Sequence, residues 1–236
     1  MNIYAIGDLH LSGSVNKPMD IFGDQWQDHS AQITQNWKQV VNENDVVLIP
    51  GDISWGMTLN EARVDLELIN QLPGQKILIK GNHDYWWQSV SQLNALYDRM
   101  YFLQNTSYPI GEYAICGSRG WGCPGETEVD NHHAKIYNRE AKRLELSLEH
   151  AEKSGCKKII VMLHYPPTNE KKEPSLFTEL LKKYPVTHVV YGHLHGEESF
   201  NNSLRGMDQG IDYTLVSADA ISFCPHKIIG KHRTGM

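Results

Sequence analysis

Residues 76–84 read KILIKGNHD, a short apolar run that leads directly into a polar tetrapeptide. The run Lys76–Ile79 is mostly aliphatic and does not alternate with polar residues, which is typical of a strand buried on both faces. The tetrapeptide Gly81-Asn82-His83-Asp84 is expected by chance only roughly 0.003 times in a chain of this composition, so a simple turn does not account for it. This stretch therefore predicts a buried strand with functional side chains at its carboxyl end.

Six further short apolar or β-branched runs alternate with segments of helical period. They are Ile3–Ile6, Val46–Ile49, Tyr113–Cys116, Ile159–Leu163, Thr187–Tyr191 and Tyr213–Val216. Four of the seven predicted strands run apolar without alternation. Helices are predicted after Ser30, after the capping-box pair Thr58 and Glu61 as far as Pro73-Gly74, from about Asn131 to Lys153, and with Pro174 in a first turn. Alternating strands and helices predict an α/β fold. Because no linker or repeat divides the chain, we expect residues 1–236 to form a single domain.

The composition excludes several classes of protein. The 236 residues are 40% hydrophobic and carry a net charge of −6, which argues against a broad footprint on nucleic-acid phosphates. No apolar run approaches the roughly 18 residues that a membrane span requires. The N-terminus lacks a basic signal region, and the four cysteines show no close CxxC spacing, which suits free thiols in a reducing compartment. We expect a cytoplasmic protein that binds neither membranes nor long nucleic acids.

Polar motifs also follow four of the other predicted strands. They are Asp8-Leu9-His10, Gly51-Asp52, His164 and Gly192-His193-Leu194-His195. Side chains at i and i+2 of an extended chain point to the same side, so each of the two triplets Asp8–His10 and His193–His195 can converge on one ion. A lone strand-end histidine is more often a core or surface residue. The shared position is the stronger signal, because open α/β sheets bind ligands at the carboxyl ends of their strands.

Together the five motifs offer seven candidate metal ligands. They are Asp8, His10, Asp52, Asn82, His164, His193 and His195. Oxygen and imidazole donors without thiolate suit Mn, Fe or Zn, and seven donors are too many for one ion. Two divalent or trivalent ions that share a bridging carboxylate fit better. Such a pair clamps the attacking and leaving oxygens of an in-line phosphoryl displacement.

These motifs, complete and in order from residue 8 to residue 195, resemble the signature of the calcineurin-like metallophosphoesterase family. The resemblance implies two packed mixed β-sheets flanked by helices. It also implies that Asp52 bridges two ions and that a hydroxide that bridges the same ions attacks phosphorus. His83 would protonate the leaving oxygen, and Asp84 would orient His83 or raise its pKa. The implied ligand sets are Asp8, His10, Asp52 and His195 for the first ion, and Asp52, Asn82, His164 and His193 for the second.

The second motif departs from the phosphoprotein phosphatase branch of that family, which has Gly-Asp-x-x-Asp-Arg-Gly there. This chain has Trp55 and Gly56 in place of the acid and the arginine. It resembles instead the small bacterial phosphohydrolases and cyclic-nucleotide phosphodiesterases. We expect a metal-dependent phosphohydrolase that acts on a small phosphodiester or phosphomonoester. The alternatives are a phosphoprotein phosphatase and a non-catalytic metal-binding scaffold that acts through protein partners, although a scaffold has no need of His83.

Two side chains are candidate substrate contacts. Trp55 lies three residues past Asp52, where it either stacks on a nucleobase or an aryl group or packs beneath the metal loop. Arg119 lies in a glycine-rich stretch after a predicted strand, where it either neutralises a phosphate oxygen or belongs to an ordinary turn. The chain from His226 onward is expected to be a frayed basic tail.

Overall fold

The structure, a computed structural model, describes residues 1–125 and 130–230. Its strands are β1 (Ile3–Ala5), β2 (Val46–Ile49), β3 (Gln75–Leu78), β4 (Met100–Phe102), β5 (Tyr108–Ile110), β6 (Tyr113–Ser118), β7 (Lys158–Leu163), β8 (Val186–Tyr191), β9 (Gly206–Asp208), β10 (Ile211–Leu215) and β11 (His226–Ile229). Its helices are α1 (His29–Val40), α2 (Leu59–Gln71), α3 (Val90–Asn94), α4 (Asn131–Lys153), α5 (Leu176–Lys183) and α6 (Glu197–Asn202). Within the described ranges, none of these helices has the length and apolar character needed to span a membrane.

The strands form two mixed sheets. The first has the order β11-β1-β2-β3-β4, and the second has the order β5-β6-β7-β8-β10-β9. Strands β1 to β4 pair in parallel, as do β6, β7, β8 and β10, whereas β11, β5 and β9 are antiparallel to their neighbours. The carboxyl ends of the parallel strands therefore meet at one edge of each sheet. This architecture confirms the predicted fold class.

The central strands are buried on both faces, and their side chains alternate between two cores. In β2, Val46 and Leu48 lie in the core between the two sheets, whereas Val47 and Ile49 pack with the helices that cover the first sheet. Helices α1, α2 and α3 cover that sheet, and α4 and α5 cover the second one. The four layers explain why the strand sequences are continuously apolar rather than alternating.

All seven predicted strands are present, with their ends shifted by at most two residues. Helix α2 has the predicted capping box: Glu61 N donates to Thr58 Oγ1 at 3.3 Å, and Thr58 N donates to Glu61 Oε2 at 3.0 Å. Helix α4 has the predicted bounds, Asn131–Lys153.

Two predictions about the first residues of helices and one about the C-terminal tail need correction. Helix α1 begins at His29 after Asp28, not after Ser30. Ser175 caps α5, so Pro174 precedes this helix instead of lying in its first turn. The predicted tail is an ordered strand in its first part, because His226–Ile229 pairs antiparallel with β1. The rest of that tail, residues 231–236, lies outside the described residues.

The two sheets are joined where the carboxyl ends of their strands meet. Gly7 N, just after β1, donates to Val216 O, just after β10, at 2.7 Å. Gly7 and Ser217 also form an isolated parallel bridge. This seam places the loops that follow β1, β2 and β3 beside the loops that follow β7 and β8.

Candidate metal centre

The structure brings all seven predicted ligands to the seam between the sheets. The carboxylate of Asp52 lies between two imidazoles, with its Oδ2 atom 3.9 Å from His10 Nε2 and 3.4 Å from His164 Nε2. Asn82 Oδ1 lies 2.6 Å from the same nitrogen of His164. Asp52 is thus positioned to touch both halves of the centre.

Asp8 is equally central. Its Oδ1 atom is 3.8 Å from His195 Nε2 and 3.9 Å from His164 Nδ1. Its two carboxylate oxygens also accept hydrogen bonds from His193 N at 3.1 and 2.9 Å. The resemblance implies that Asp52 is shared by the two ligand sets, and the structure adds that Asp8 also lies between them.

Among the described residues, two groups of donor atoms are compact enough to hold an ion. Asp8, His10 and His195 form one, and Asp8, Asp52 and His164 form the other, each with its ligand atoms within 4.8 Å of one another. The His193 ring lies 5.1 Å from the His164 ring, at the side of the second group. Buried carboxylates surrounded by imidazoles form a donor set of the kind that Mn, Fe and Zn prefer. The residues present therefore fit such ions.

The backbone at four of the seven ligands is in the left-handed region. The φ angles are 53° at Asp8, 45° at His10, 51° at Asp52 and 71° at His193. This conformation is uncommon for residues other than glycine and persists only where the surrounding structure holds it. These loops are shaped to aim side chains at one point, at a cost in local backbone energy.

Two glycines permit the close approach of the ligand loops. A Cβ atom at Gly192 would lie 2.2 Å from Asp8 Oδ2, and one at Gly81 would lie 2.1 Å from Asp52 Oδ1. No side chain fits at such distances. Glycine is therefore required at position 192 by the close approach of Asp8 and at position 81 by the close approach of Asp52.

Burial and neighbouring imidazoles set the charge of these carboxylates. Burial raises the pKa of Asp8 to about 6, against the opposing effect of His164 and His195. Burial also acts to raise the pKa of Asp52, but His164 and His10 outweigh it and hold that pKa below its usual value. The centre therefore keeps at least one buried anionic carboxylate that a cation would stabilise.

The imidazoles divide into two kinds. Burial lowers the pKa of His10 and of His193 to about 3, so both rings are neutral and able to bind a metal. Burial also acts to lower the pKa of His164, but Asp52 and Asp8 outweigh it and raise that pKa to about 9. Without a metal, the proton on His164 supplies positive charge that an ion would replace.

Second partners orient the metal-facing rings. His195 Nδ1 lies 2.9 Å from Asp219 Oδ1, which leaves Nε2 to face Asp8. His164 Nδ1 lies 3.0 Å from Pro50 O, which leaves Nε2 to face Asp52 and Asn82. Such outer hydrogen bonds fix ring orientation at metal sites. Asp219 is absent from the predicted site. The sequence feature that could have identified it is its position shortly after β10, at the same sheet edge as the ligands.

The structure gives Asp84 partners other than the expected His83 ring. Its carboxylate accepts hydrogen bonds from Asp52 N at 2.9 Å, Ile53 N at 2.9 Å and Gly81 N at 2.7 Å. The indole of Trp86 donates to it at 3.0 Å. Burial, with a smaller contribution from the Asp52 charge, raises the pKa of Asp84 to about 6. Because every described partner is a donor, Asp84 acts as a brace for the Asp52 loop.

His83 and Trp55 line a cleft of about 420 Å³ together with four of the ligands, His10, Asp52, His193 and His195. The Trp55 ring stacks on His10 at 4.8 Å and lies 4.6 Å from the His83 ring. His83 N donates to Asp52 Oδ1 at 2.8 Å. Trp55 therefore packs against the metal loops and lines the cleft at the same time. Trp26 adds a further apolar wall.

A second cleft, of about 480 Å³, reaches the same centre from another side. His193 lines both clefts. The Tyr165 ring packs 3.9 Å from the His193 ring and forms part of the second wall, together with Leu194.

Arg119 does not join this centre. Its guanidinium lies 3.4 Å from Glu140 Oε1 and packs over the Trp121 ring at 4.7 Å. It lines a different cavity from the cleft that contains His83. Arg119, one of the two candidate substrate contacts, therefore does not reach the cleft of the metal centre, because its side chain is held by the buried carboxylate of Glu140.

The comparisons with known proteins agree with this geometry. A sequence model described as calcineurin-like phosphoesterase matches residues 1–197. The gene 66 protein of Mycobacterium phage L5 is 36% identical over 83 residues, which are 35% of this chain and 40% of that protein. The match thus spans well under two thirds of that relative. The uncharacterized protein MJ1445 of Methanocaldococcus jannaschii is 25% identical over 158 residues, or 62% of this chain and 81% of that protein.

Among solved structures, the fold is shared by the phosphopantetheinyl hydrolase PptH from Mycobacterium tuberculosis, with 13% sequence identity and a TM-score of 0.58. The match covers 100% of this chain and 98% of that protein.

Proposed function

This chain belongs to the calcineurin-like phosphoesterase family, and we propose that it hydrolyses a small phosphodiester with the help of two metal ions. The observation that carries the proposal is the convergence of seven oxygen and imidazole donors from loops of both sheets, four of which line one cleft. In this proposal Asp8, His10, Asp52 and His195 hold one ion, and Asp52, Asn82, His164 and His193 hold the other.

Bound ions of this kind supply Lewis-acid activation of water and of the phosphoryl oxygens. The protein's own part is to hold the reacting groups in place. Asp219 and Pro50 fix the rings of His195 and His164, and Asp84 fixes the loop that carries Asp52. Such preorganisation lowers the cost of reaching the transition state.

His83 is the proposed general acid. Its ring lies in the cleft beside Trp55, and its main chain is tied to Asp52. Burial lowers the pKa of His83, which makes its protonated ring a stronger acid toward the leaving oxygen. The ring would give its proton to that oxygen as the P–O bond breaks.

The two clefts favour a diester over a monoester. A phosphodiester has a substituent on each side of phosphorus, and His193 lies at the junction of two clefts that can take one substituent each. Trp55 and Trp26 in the first cleft offer aromatic faces for stacking. A phosphoprotein phosphatase and a scaffold without turnover are the competing functions.

The test is hydrolysis of matched aryl phosphate esters by metal-stripped protein to which Mn²⁺ is restored. We expect metal-dependent turnover with bis(p-nitrophenyl) phosphate exceeding that with p-nitrophenyl phosphate. A preference for the monoester would favour the phosphatase function. No turnover of either ester at full metal occupancy would favour the scaffold.

A variant separates acid catalysis from metal binding. His83→Ala should keep its metal content but lose roughly 10²–10⁴-fold in rate on alkyl esters, and much less on activated aryl esters, whose leaving groups need no proton. His132→Ala, which removes an exposed imidazole on α4, serves as the matched control. Equal losses on both classes of ester would refute the acid role.

A further inference from the structure

A further cavity of about 200 Å³, separate from the two clefts described above, lies where the ends of β3, β4 and β6 meet helix α4. It shares no lining residue with the cleft of the metal centre. Four cationic side chains line it, and only one carboxylate accompanies them. The cations are Lys80, Arg119, Arg139 and Arg143, and the carboxylate is Glu140.

The carboxylate does not neutralise this wall. Glu140 is fully buried, and its Oε1 atom lies 3.4 Å from Arg119, 3.3 Å from Arg139 and 2.9 Å from Arg143. The Lys80 ammonium forms no ion pair or hydrogen bond within the described part of the chain, although the charge of the buried Asp84 carboxylate acts on it. One negative charge of the wall is therefore shared among three guanidiniums, and four cations stand against the two carboxylates Glu140 and Asp84. The cavity carries a net positive charge suited to an anion.

Three buried polar atoms on this wall lack a hydrogen-bond partner among the described residues. They are the donors Trp87 Nε1 and Arg119 Nε and the acceptor Glu140 Oε2. Buried polar groups are almost always paired, so each such atom indicates a missing partner. The two donors and the acceptor would be paired by a ligand that accepts hydrogen bonds and also donates one.

We propose that this cavity binds inorganic phosphate. Phosphate keeps a P–OH group at neutral pH, which would donate to Glu140 Oε2, while its other oxygens would accept from Trp87 and Arg119. Arg139 and Arg143 are partly exposed and leave an entrance from the α4 side. Sulfate and the dianion of a phosphate monoester have similar charge but no O–H group, so neither satisfies the carboxylate.

The position of the cavity links it to the metal loops. Lys80 lies two residues before Asn82 in the chain. The main-chain oxygen of Arg119 accepts hydrogen bonds from His164 N at 3.1 Å and from Tyr165 N at 3.0 Å. A phosphate that fixes Lys80 and Arg119 would therefore steady two segments that carry proposed metal ligands.

The indole signals of the protein can locate the binding. In ¹H–¹⁵N spectra of the full chain with Mg²⁺, each of the six tryptophans contributes one indole signal. The signal of Trp87 is the one that is missing from the spectrum of Trp87→Phe. We expect inorganic phosphate to shift the Trp87 signal in a saturable way, and sulfate to bind at least about tenfold more weakly. If millimolar phosphate moves only the signals of Trp26 and Trp55, binding is confined to the metal centre and the proposal is wrong.

Two variants test the named contacts, and a third is their control. Lys80→Met removes a charge without breaking a described hydrogen bond, and it should weaken phosphate binding about tenfold or more. Arg63→Ala, an exposed arginine on α2, is the control and should bind as the wild type does. Glu140→Gln should narrow the preference for phosphate over sulfate. Equal affinity of the wild type for the two anions would contradict the proposed role of Glu140 and the assignment to phosphate.

Discussion

The carboxylate of Asp84 accepts backbone hydrogen bonds from the loop that carries Asp52 and from the loop that carries Asn82. Loss of this carboxylate should therefore disturb the shape of the centre rather than the proton transfer. Asp84→Asn leaves only one acceptor oxygen for these donors. We expect the free energy of unfolding to fall by about 3 kcal/mol in urea titrations. The rate should fall equally on aryl and alkyl esters.

Asp98→Asn, on an exposed turn, is the control for this variant and should change neither quantity. A rate loss of Asp84→Asn confined to alkyl esters would mean that Asp84 acts through His83, as the family resemblance implies.

Gly192 offers a test of the close approach between the sheets. Gly192→Ala would place a methyl group against Asp8 Oδ2, where the separation is 2.2 Å, and would displace that carboxylate. We expect metal affinity to fall by about tenfold to a hundredfold, because one of the central ligands moves. Metal titration measures it. Gly122→Ala, whose added Cβ meets nothing within 4 Å, should bind metal normally; an equal loss there would show that the effect is not local.

Single residues also show how far sequence reasoning reaches. The seven ligands could be predicted because each lies in a short motif directly after a buried strand. Asp219 was missed, because its contact with His195, 24 positions away in the sequence, depends on the pairing of β8 with β10. Arg119 was misplaced for a similar reason, since its partner Glu140 lies on α4.

At the scale of the secondary-structure elements, the strands that sequence reasoning missed share one property. They are β4, β5, β9 and β11, and each is at an edge of its sheet. An edge strand has a neighbour on one side only and needs less apolar surface, as the polar residues of β9 and β11 show, whereas β4 is apolar but only three residues long. In β9, all three residues are exposed. Central strands can be predicted from their buried, apolar sequences, whereas the position of an edge strand depends on the strand with which it pairs.

The capping box of α2 could be predicted, and its energy can be measured. Thr58→Ala removes the side-chain acceptor for Glu61 N, and we expect the free energy of unfolding to fall by about 1 kcal/mol. Thr58→Ser keeps that acceptor and should recover most of the loss. Urea titration of both variants decides the matter. Identical stability of the two variants would show that the cap hydrogen bond contributes nothing measurable.

At the scale of the whole molecule, the metal centre belongs to both sheets. Loops of the first sheet carry Asp8, His10, Asp52 and Asn82, and loops of the second carry His164, His193 and His195. The sheets also meet through their shared apolar core, the hydrogen bond from Gly7 N to Val216 O and the hydrogen bond from Gln75 Nε2 to Tyr108 Oη. Bound ions would therefore connect two sheets that are far apart in the sequence, and metal binding should be coupled to global stability.

This coupling predicts the effect of metal removal. A ligand that binds only the folded state at 100 times its dissociation constant stabilises that state by about 2.7 kcal/mol. Addition of EDTA to Mn²⁺-loaded protein should lower the free energy of unfolding by this order, as measured by urea titration. Asp52→Asn, which removes the carboxylate between His10 and His164, should already lack most of this stabilisation and respond little to EDTA. An unchanged midpoint for the wild type with EDTA would show that the centre does not hold metal in the folded protein.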